Sequence, residues 1–277
     1  MDQNSKYLNI NGISTHYHEA GQGEPVLLIH GSGPGVSAWA NWRLIIPRLS
    51  NHFHVFAPDI VGFGYTDRPE NIEYGVEIWT EHLINFIEKI GKGKVHIIGN
   101  SLGGALALHI AKKRPELVGK MVLMGAAGIK FPVTYGLDKV WGYEPSIANM
   151  KRLLEIFAYN QEFATDELAE LRYKASVQPG LQEAFSKMFA EPRQPKLDAL
   201  ALPEKEIKQI KHPVLLIHGK DDIVVPFKET SLKFLELLPN SELHVFSNCG
   251  HWTQIEKKNE FAQLCENFLL SKETVHQ

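Results

Sequence analysis

Four short stretches of the chain are almost continuously apolar: Val26-Leu27-Leu28-Ile29, Val95-His96-Ile97-Ile98, Met121-Val122-Leu123-Met124 and Val214-Leu215-Leu216-Ile217. Runs this short, without polar alternation, are those of strands covered on both faces, as in a parallel sheet. His54-Val55-Phe56-Ala57 and Leu243-His244-Val245-Phe246 are weaker copies. Ahead of them, Leu8 to Tyr17 alternates loosely around Asn11-Gly12, the dipeptide of a tight hairpin turn. Between the runs the period becomes helical. Ile78, His82, Leu83, Phe86 and Ile90 share one face, as do Leu106, Ile110 and Ala111 before Pro115 stops the helix. Strands alternating with helices predict an α/β chain, its mostly parallel sheet flanked by helices.

The alternation stops near Phe131 and resumes near Ile210. The stretch between is helical in pattern and holds Trp141, Tyr143, Phe157, Tyr159, Phe163, Phe185 and Phe189. It is too long and too apolar for a structureless loop. The expected organisation is a discontinuous core, 1–131 and 208–277, with a helical cap over 132–207.

Composition adds exclusions. Apolar residues make up 44% and charged residues 22% of 277, which is ordinary for a globular chain. With 29 basic and 32 acidic side chains the net charge is −3, so no field favours nucleic acid or an anionic membrane. Two cysteines, Cys249 and Cys265, make no disulfide framework. The opening Met1-Asp2-Gln3-Asn4-Ser5-Lys6 lacks a basic-then-apolar leader, and no apolar run approaches the roughly 18 residues of a membrane helix. A soluble cytoplasmic protein is expected, with no nucleic-acid or membrane partner.

The strongest motif is Gly99-Asn100-Ser101-Leu102-Gly103, between the strand at Val95-Ile98 and a helix from Leu102. This is the G-x-S-x-G nucleophile elbow in its strand–turn–helix context. Ser101 must sit on a tight turn to project its hydroxyl above the sheet, and Gly99 and Gly103 make room for that turn. A serine needs a base, and in this fold the order is Ser, acid, His. His251, in Cys249-Gly250-His251-Trp252, follows the last strand. Asp221 and Asp222 compete as the acid, and the G-x-x-D-x-x-V-P spacing of Gly219 to Pro226 selects Asp222. The loop His30-Gly31-Ser32-Gly33-Pro34-Gly35 is not a dinucleotide fingerprint, because Val36 stands where the last glycine belongs. In a serine hydrolase it supplies one oxyanion N–H, placed at Ser32, and Leu102 supplies the other. Asn41, between Trp39 and Trp42, is either a helix-start residue or a polar group of the pocket.

His16/His18 and His52/His54 have ligand-like spacing but no third ligand nearby, so no metal site is expected and they read as surface strand residues. His96 and His109 read as core histidines, and nothing marks Cys249 as reactive. In the cap, Thr165-Asp166-Glu167 opens a helix whose apolar stripe is Leu168, Leu171 and Ala175. Arg172 falls on that stripe. An inward cation needs an anion: a substrate carboxylate, an internal ion pair, or escape by snorkelling.

HGSGPGVSAWANW, APDIVGFGYTDRP, GNSLGG, VWGYEPS and CGHWTQIE together resemble the meta-cleavage product hydrolases, over essentially the whole chain from Tyr7 to about Leu270. The resemblance implies an α/β-hydrolase fold with a helical cap. It implies cofactor-free hydrolysis of a C–C bond in a ring-opened catechol of the 2-hydroxy-6-oxo-hexa-2,4-dienoate type, such as 2-hydroxymuconic semialdehyde. The products would be 2-hydroxypenta-2,4-dienoate and a short carboxylic acid. Ser101, Asp222 and His251 match the family's triad, Ser32 and Leu102 its oxyanion positions, and Asn41, Asn100, Arg172 and Trp252 its polar substrate contacts. Gly33 joins these as a candidate substrate contact. The family also suggests a homo-oligomer and a small C6 substituent, a preference that depends on cap residues such as Phe131, Val133, Trp141 and Phe163. The residues allow ketonisation of the dienol with His251 as acid and base, then attack by Ser101 or by water. A carboxylesterase or thioesterase with the same triad, and a non-catalytic ligand binder, are the competing readings.

Overall fold

The computed structural model describes residues 5–271. Met1–Asn4, part of the segment on which the leader expectation rests, and residues 272–277 lie outside the described residues. Eight strands form one sheet: β1 (Ser5–Ile10), β2 (Ile13–Ala20), β3 (Glu24–Ile29), β4 (Phe53–Pro58), β5 (Val95–Asn100), β6 (Val118–Met124), β7 (Val214–Gly219) and β8 (Ser241–Phe246), in the order β1-β2-β4-β3-β5-β6-β7-β8. Neighbours from β4 to β8 are parallel; β2 runs antiparallel to both β1 and β4. The hairpin closes at Ile10 opposite Ile13, with Asn11 and Gly12 both at positive φ. That two-residue loop suits the twist of its strands.

Both faces of the parallel strands are buried, as their unbroken apolar runs require. Leu27 and Ile29 face α3 (Val76–Ile90) and α4 (Leu102–Lys113). Val26 and Leu28 face α1 (Ala38–Trp42), α2 (Ile46–Leu49) and α13 (Lys258–Leu270), where Trp42 and Phe261 are fully buried. The shorter α11 (Ser231–Leu237) and α12 (Thr253–Glu256) flank β7 and β8.

Between β6 and β7 the chain makes six helices: α5 (Tyr135–Trp141), α6 (Ile147–Phe157), α7 (Asp166–Ser176), α8 (Leu181–Met188), α9 (Arg193–Asp198) and α10 (Glu204–Ile207). Three start at side-chain caps. Thr134, Ser146 and Thr165 accept the N–H groups of Leu137, Asn149 and Leu168, each cap contributing about 1 kcal/mol. The insertion meets the sheet's loops closely: a Cβ on Gly35, after β3, would stand 2.6 Å from the Ser176 nitrogen at the end of α7.

The surface placement expected for His16 and His18 does not hold. Both are buried on one face of β2, where Asp59, itself fully buried, takes the His16 Nδ1–H at 2.8 Å. The alternation was too loose to show that β2 lies between β1 and β4 with that face covered. His52 is exposed, and His54 pairs with Glu19 at 2.7 Å. His109 is buried against the Leu200 carbonyl, while His96, only partly buried, accepts the Lys120 N–H. Among the described residues no three His, Cys, Asp or Glu gather as a metal cluster, and no helix is long and apolar enough to cross a membrane.

Candidate active site

The site is built where strands end. Ser101 follows β5 and opens α4, with φ 53° and ψ −112°. A non-glycine residue in that region stores roughly 1–3 kcal/mol, held here by surrounding packing. Its N–H donates to the Met124 carbonyl at 2.9 Å, and its own carbonyl accepts from Ala127 at 3.1 Å. A Cβ on Gly99 would meet the Gly103 carbonyl oxygen at 2.4 Å, and one on Gly103 would meet that of Ile29 at 2.3 Å. Backbone therefore crosses backbone at the elbow, and only glycine fits.

Asp222 follows β7 and His251 follows β8. The His251 Nδ1–H donates to Asp222 Oδ2 at 2.7 Å, and both residues are buried. Burial by itself would raise the Asp222 carboxyl; the His251 charge and the hydrogen bonds from His218 and His251 outweigh it and hold the group well below its usual range. Asp222 Oδ1 accepts the N–H groups of Val224 and Val225 at 2.8 and 2.9 Å. Asp221 turns elsewhere, its carboxylate accepting the Cys249 N–H at 3.4 Å. Gly125, after β6, leaves room for the pair: a Cβ there would stand 3.2 Å from the His251 ring and 3.4 Å from Asp222. Cys249 is sealed, and burial pushes its thiol up, away from the thiolate.

The loop after β3 faces the elbow. A Cβ on Gly31 would lie 3.3 Å from the Ser101 Cβ. His30 anchors this loop: its Nδ1–H donates to the Gly31 carbonyl at 2.8 Å, and its Nε2 accepts the Ile60 N–H at 3.0 Å. Burial lowers the His30 pKa and keeps the ring neutral, as an accepting nitrogen requires. Ser32 Oγ accepts the Trp141 indole N–H at 3.0 Å. Indole only donates, so the Ser32 hydroxyl keeps its own proton for another partner. Leu102 is the first residue of α4, and its N–H has no partner within the helix. The Asn100 amide donates to the Met124 carbonyl at 3.4 Å, and Gly33 is buried 3.9 Å (as a Cβ) from the Phe157 ring.

Beside this loop is a cavity of about 260 Å³, bounded by Asn41, Arg43, Phe163, Arg172, Trp252 and Gln254 among others. Arg172 reaches the Pro34 carbonyl at 3.5 Å, and its Nε is buried without a partner. Burial, then the neighbouring Arg43 cation, lower the Arg172 guanidinium to about 10. Arg43 spends one N–H on the Ala40 carbonyl at 2.7 Å, and burial lowers it too. Among the described residues neither guanidinium has a carboxylate partner, which removes the internal ion pair. Asn41 Nδ2 and Gln254 Oε1 are likewise buried and unpartnered. Two guanidinium groups without a carboxylate partner and the idle Asn41 amide N–H therefore border one cavity.

The α7 stripe differs from its expected position. Leu171 is 64% exposed; Ala169 and Ser176 are buried, with Leu168, Arg172 and Tyr173 partly covered. Of the residues expected to set substrate size, Phe163 lines the cavity, Trp141 meets Ser32, and Phe131 and Val133 are tied by backbone groups to Gln194. Sequence reasoning missed Arg43, His218 and Phe157. The signal for Arg43 was a cation directly after an apolar helix, in Trp39-Ala40-Asn41-Trp42-Arg43. Phe157 carried none: its carbonyl accepts the N–H groups of His251 and Trp252, and its ring stacks on Trp252 at 4.9 Å.

A family profile described as the alpha/beta hydrolase fold matches residues 24–258. The chain is 52% identical over 262 residues, 95% of each chain, to 2-hydroxy-6-oxo-2,4-heptadienoate hydrolase of Pseudomonas putida. It is 48% identical to 2-hydroxymuconate semialdehyde hydrolase of Pseudomonas sp. CF600, covering 93% of this chain and 91% of that one. Among solved structures, a serine-to-alanine variant of meta-cleavage product hydrolase from Pseudomonas fluorescens IP01, complexed with acetates, superposes with a TM-score of 0.94 at 54% identity, covering 95% and 97% of the two chains.

Proposed function

The chain belongs to the α/β-hydrolase family, and we propose that it hydrolyses a C–C bond in ring-opened catechols of the 2-hydroxy-6-oxo-hexa-2,4-dienoate type, 2-hydroxymuconic semialdehyde among them. The products are 2-hydroxypenta-2,4-dienoate and a short carboxylic acid. The observation that carries this reading is the cavity with two unpaired guanidinium groups, Arg43 and Arg172, beside the loop that faces Ser101. A plain esterase has no use for two partly buried cations side by side; a dienoate brings the carboxylate that they lack.

In this reading Arg172 and Arg43 hold the carboxylate, and Asn41, Asn100, Gly33 and Trp252 line the path of the dienoate. His251, oriented by Asp222, moves the proton that converts dienol to ketone, which makes the departing fragment a stabilised carbanion. The 6-oxo carbon is then attacked by Ser101 Oγ or by water deprotonated at His251. The N–H groups of Ser32 and Leu102 receive the oxyanion, each donor lowering the barrier by roughly 3–4 kcal/mol. The inserted helices act as a cap domain over this site, and the C6 substituent is small, hydrogen or short alkyl. The proposal includes a homo-oligomer acting in the cytoplasm. Leu232 and Leu235, exposed a helical turn apart on α11, support association, which light scattering of the purified protein checks.

The deciding experiment mixes the protein with dienoates bearing hydrogen, methyl, ethyl or phenyl at C6 and follows the visible absorbance of the dienolate. Decay that is fastest with the small substituents is expected. Turnover of p-nitrophenyl esters with no dienoate decay would assign the triad to an esterase instead.

A further inference from the structure

The carboxylate of Asp222 has a second histidine. His218, the fully buried penultimate residue of β7, places its Nε2 3.1 Å from Asp222 Oδ2 and 2.8 Å from the Val225 carbonyl oxygen. A carbonyl only accepts, so Nε2 carries a proton whichever charge state the ring adopts. The other nitrogen, Nδ1, shares a hydrogen bond with Ser231 Oγ at 2.6 Å, so both edges of the ring are fixed. The forked Nε2–H therefore points at the same oxygen that receives the His251 proton. With Val224 and Val225 on Oδ1, the carboxylate has four donors: two backbone, one from each histidine.

We propose that His218 is a positioning residue for the reaction, locking the Asp222 carboxylate in the plane that His251 needs and sharing the charge that Asp222 presents to it. This rests on the reading of Ser101, His251 and Asp222 as the triad. A carboxylate with a free edge can rotate about its Cβ–Cγ bond and accept His251 from several directions. With all four donors in place a single orientation remains, and it fixes the edge of the carboxylate that meets the His251 Nδ1–H. The titratable and charged groups near the pair are Asp222 and His218 from the β7 end, and Cys249, Glu256 and Lys257 from the segment that bears His251, with the Ser231 hydroxyl from α11.

Two variants test this in the intact protein. His218→Leu removes the donor at similar bulk, and His218→Gln returns an N–H at a similar reach. His218→Leu is expected to lower kcat roughly ten- to hundred-fold with KM within about two-fold, the usual effect of an outer hydrogen-bond partner. Losing the donor leaves Asp222 more negative toward His251, so the acid limb of kcat/KM moves to higher pH. His218→Gln is expected to recover most of both. A folded His218→Leu protein with unchanged kcat and unmoved acid limb overturns the proposal, as does a folded His218→Gln protein no better than the leucine variant. The low-field proton resonance of the His251–Asp222 hydrogen bond gives a readout that needs no turnover. It should shift in the leucine variant and return in the glutamine variant. If the wild-type protein leaves every dienoate intact, the functional reading fails while this resonance still decides the role of His218. If His218→Leu does not fold, the glutamine variant carries the test alone, and loss of the resonance there rejects the proposal.

Discussion

The backbone carbonyl of Phe157 accepts the N–H of His251 at 2.8 Å. Phe157 is the last residue of α6 in the inserted helices, whereas His251 follows the last strand of the sheet. The histidine is thus held from two sides, its side chain by Asp222 and its main chain by the insertion. Packing of the helices on the sheet and alignment of the reacting groups are one structural event.

Ser101→Ala should cut kcat by about 10⁴-fold or more, because a triad loses most of its advantage with its nucleophile. Dienoate affinity should survive if, as proposed, Arg43 and Arg172 bind it, since they line a cavity that Ser101 does not. Single-turnover absorbance against equilibrium binding separates the two; a variant that still turns over rapidly would assign the attack to water alone.

Arg172→Ala should raise KM roughly 10- to 100-fold with a smaller change in kcat, the loss of a charge-assisted contact. Arg43→Ala should raise KM less, and should flatten its dependence on ionic strength. Arg172 lies at about 10, and it binds anions only while protonated, so KM should climb as pH rises through that value. Steady-state kinetics across salt and pH measure all three effects.

Asp222 ionises below its ordinary carboxyl value in the folded chain. Its ionised form therefore stabilises the native state above about 3.8, the reference value, and that contribution disappears as pH falls from there toward the folded value. Asp222→Asn should lose the acid-side slope that this group adds to the denaturation free energy. It should also lower kcat by roughly 10⁴-fold, by leaving His251 in the wrong tautomer. Urea titrations carried from neutral pH down through 3.8 and on toward the folded value give the first result.

Gly103→Ala should destabilise the chain by roughly 2–4 kcal/mol, in the class of substitutions that force backbone apart. The added methyl would meet the Ile29 carbonyl oxygen at 2.3 Å, and both partners are main chain. Thermal denaturation reads the effect, and activity should fall with it because the same crossing holds Ser101 up.

The sheet is legible in the sequence because burial on both faces leaves unbroken apolar runs, and the elbow because its glycines have no substitute. Asp222 is legible through its spacing to Val225 and Pro226, and it accepts the N–H groups of Val224 and Val225. Arg172 is legible as an inward cation, although the stripe drawn through Leu171 was displaced: periodicity ranks faces of a helix but does not know what lies opposite. His16 and His18 failed in the same way: the face they share is covered by elements distant in the chain, and Asp59, the partner of His16, lies more than forty residues ahead. Phe157 matters through a contact across the fold, and His218 through turns whose geometry the sequence does not spell out; both contacts use backbone carbonyls, which have no letter in the sequence.

The order of the elements along the chain sets the order in which the site is made. Ser101 and the six inserted helices leave the ribosome before β7 and β8, which bring Asp222 and His251. At the usual pace of translation the nucleophile waits roughly 10 to 30 s for its base. During that interval the nascent chain carries Ser101 without Asp222 and His251, so under the proposed mechanism an unfinished chain cannot cleave what it binds.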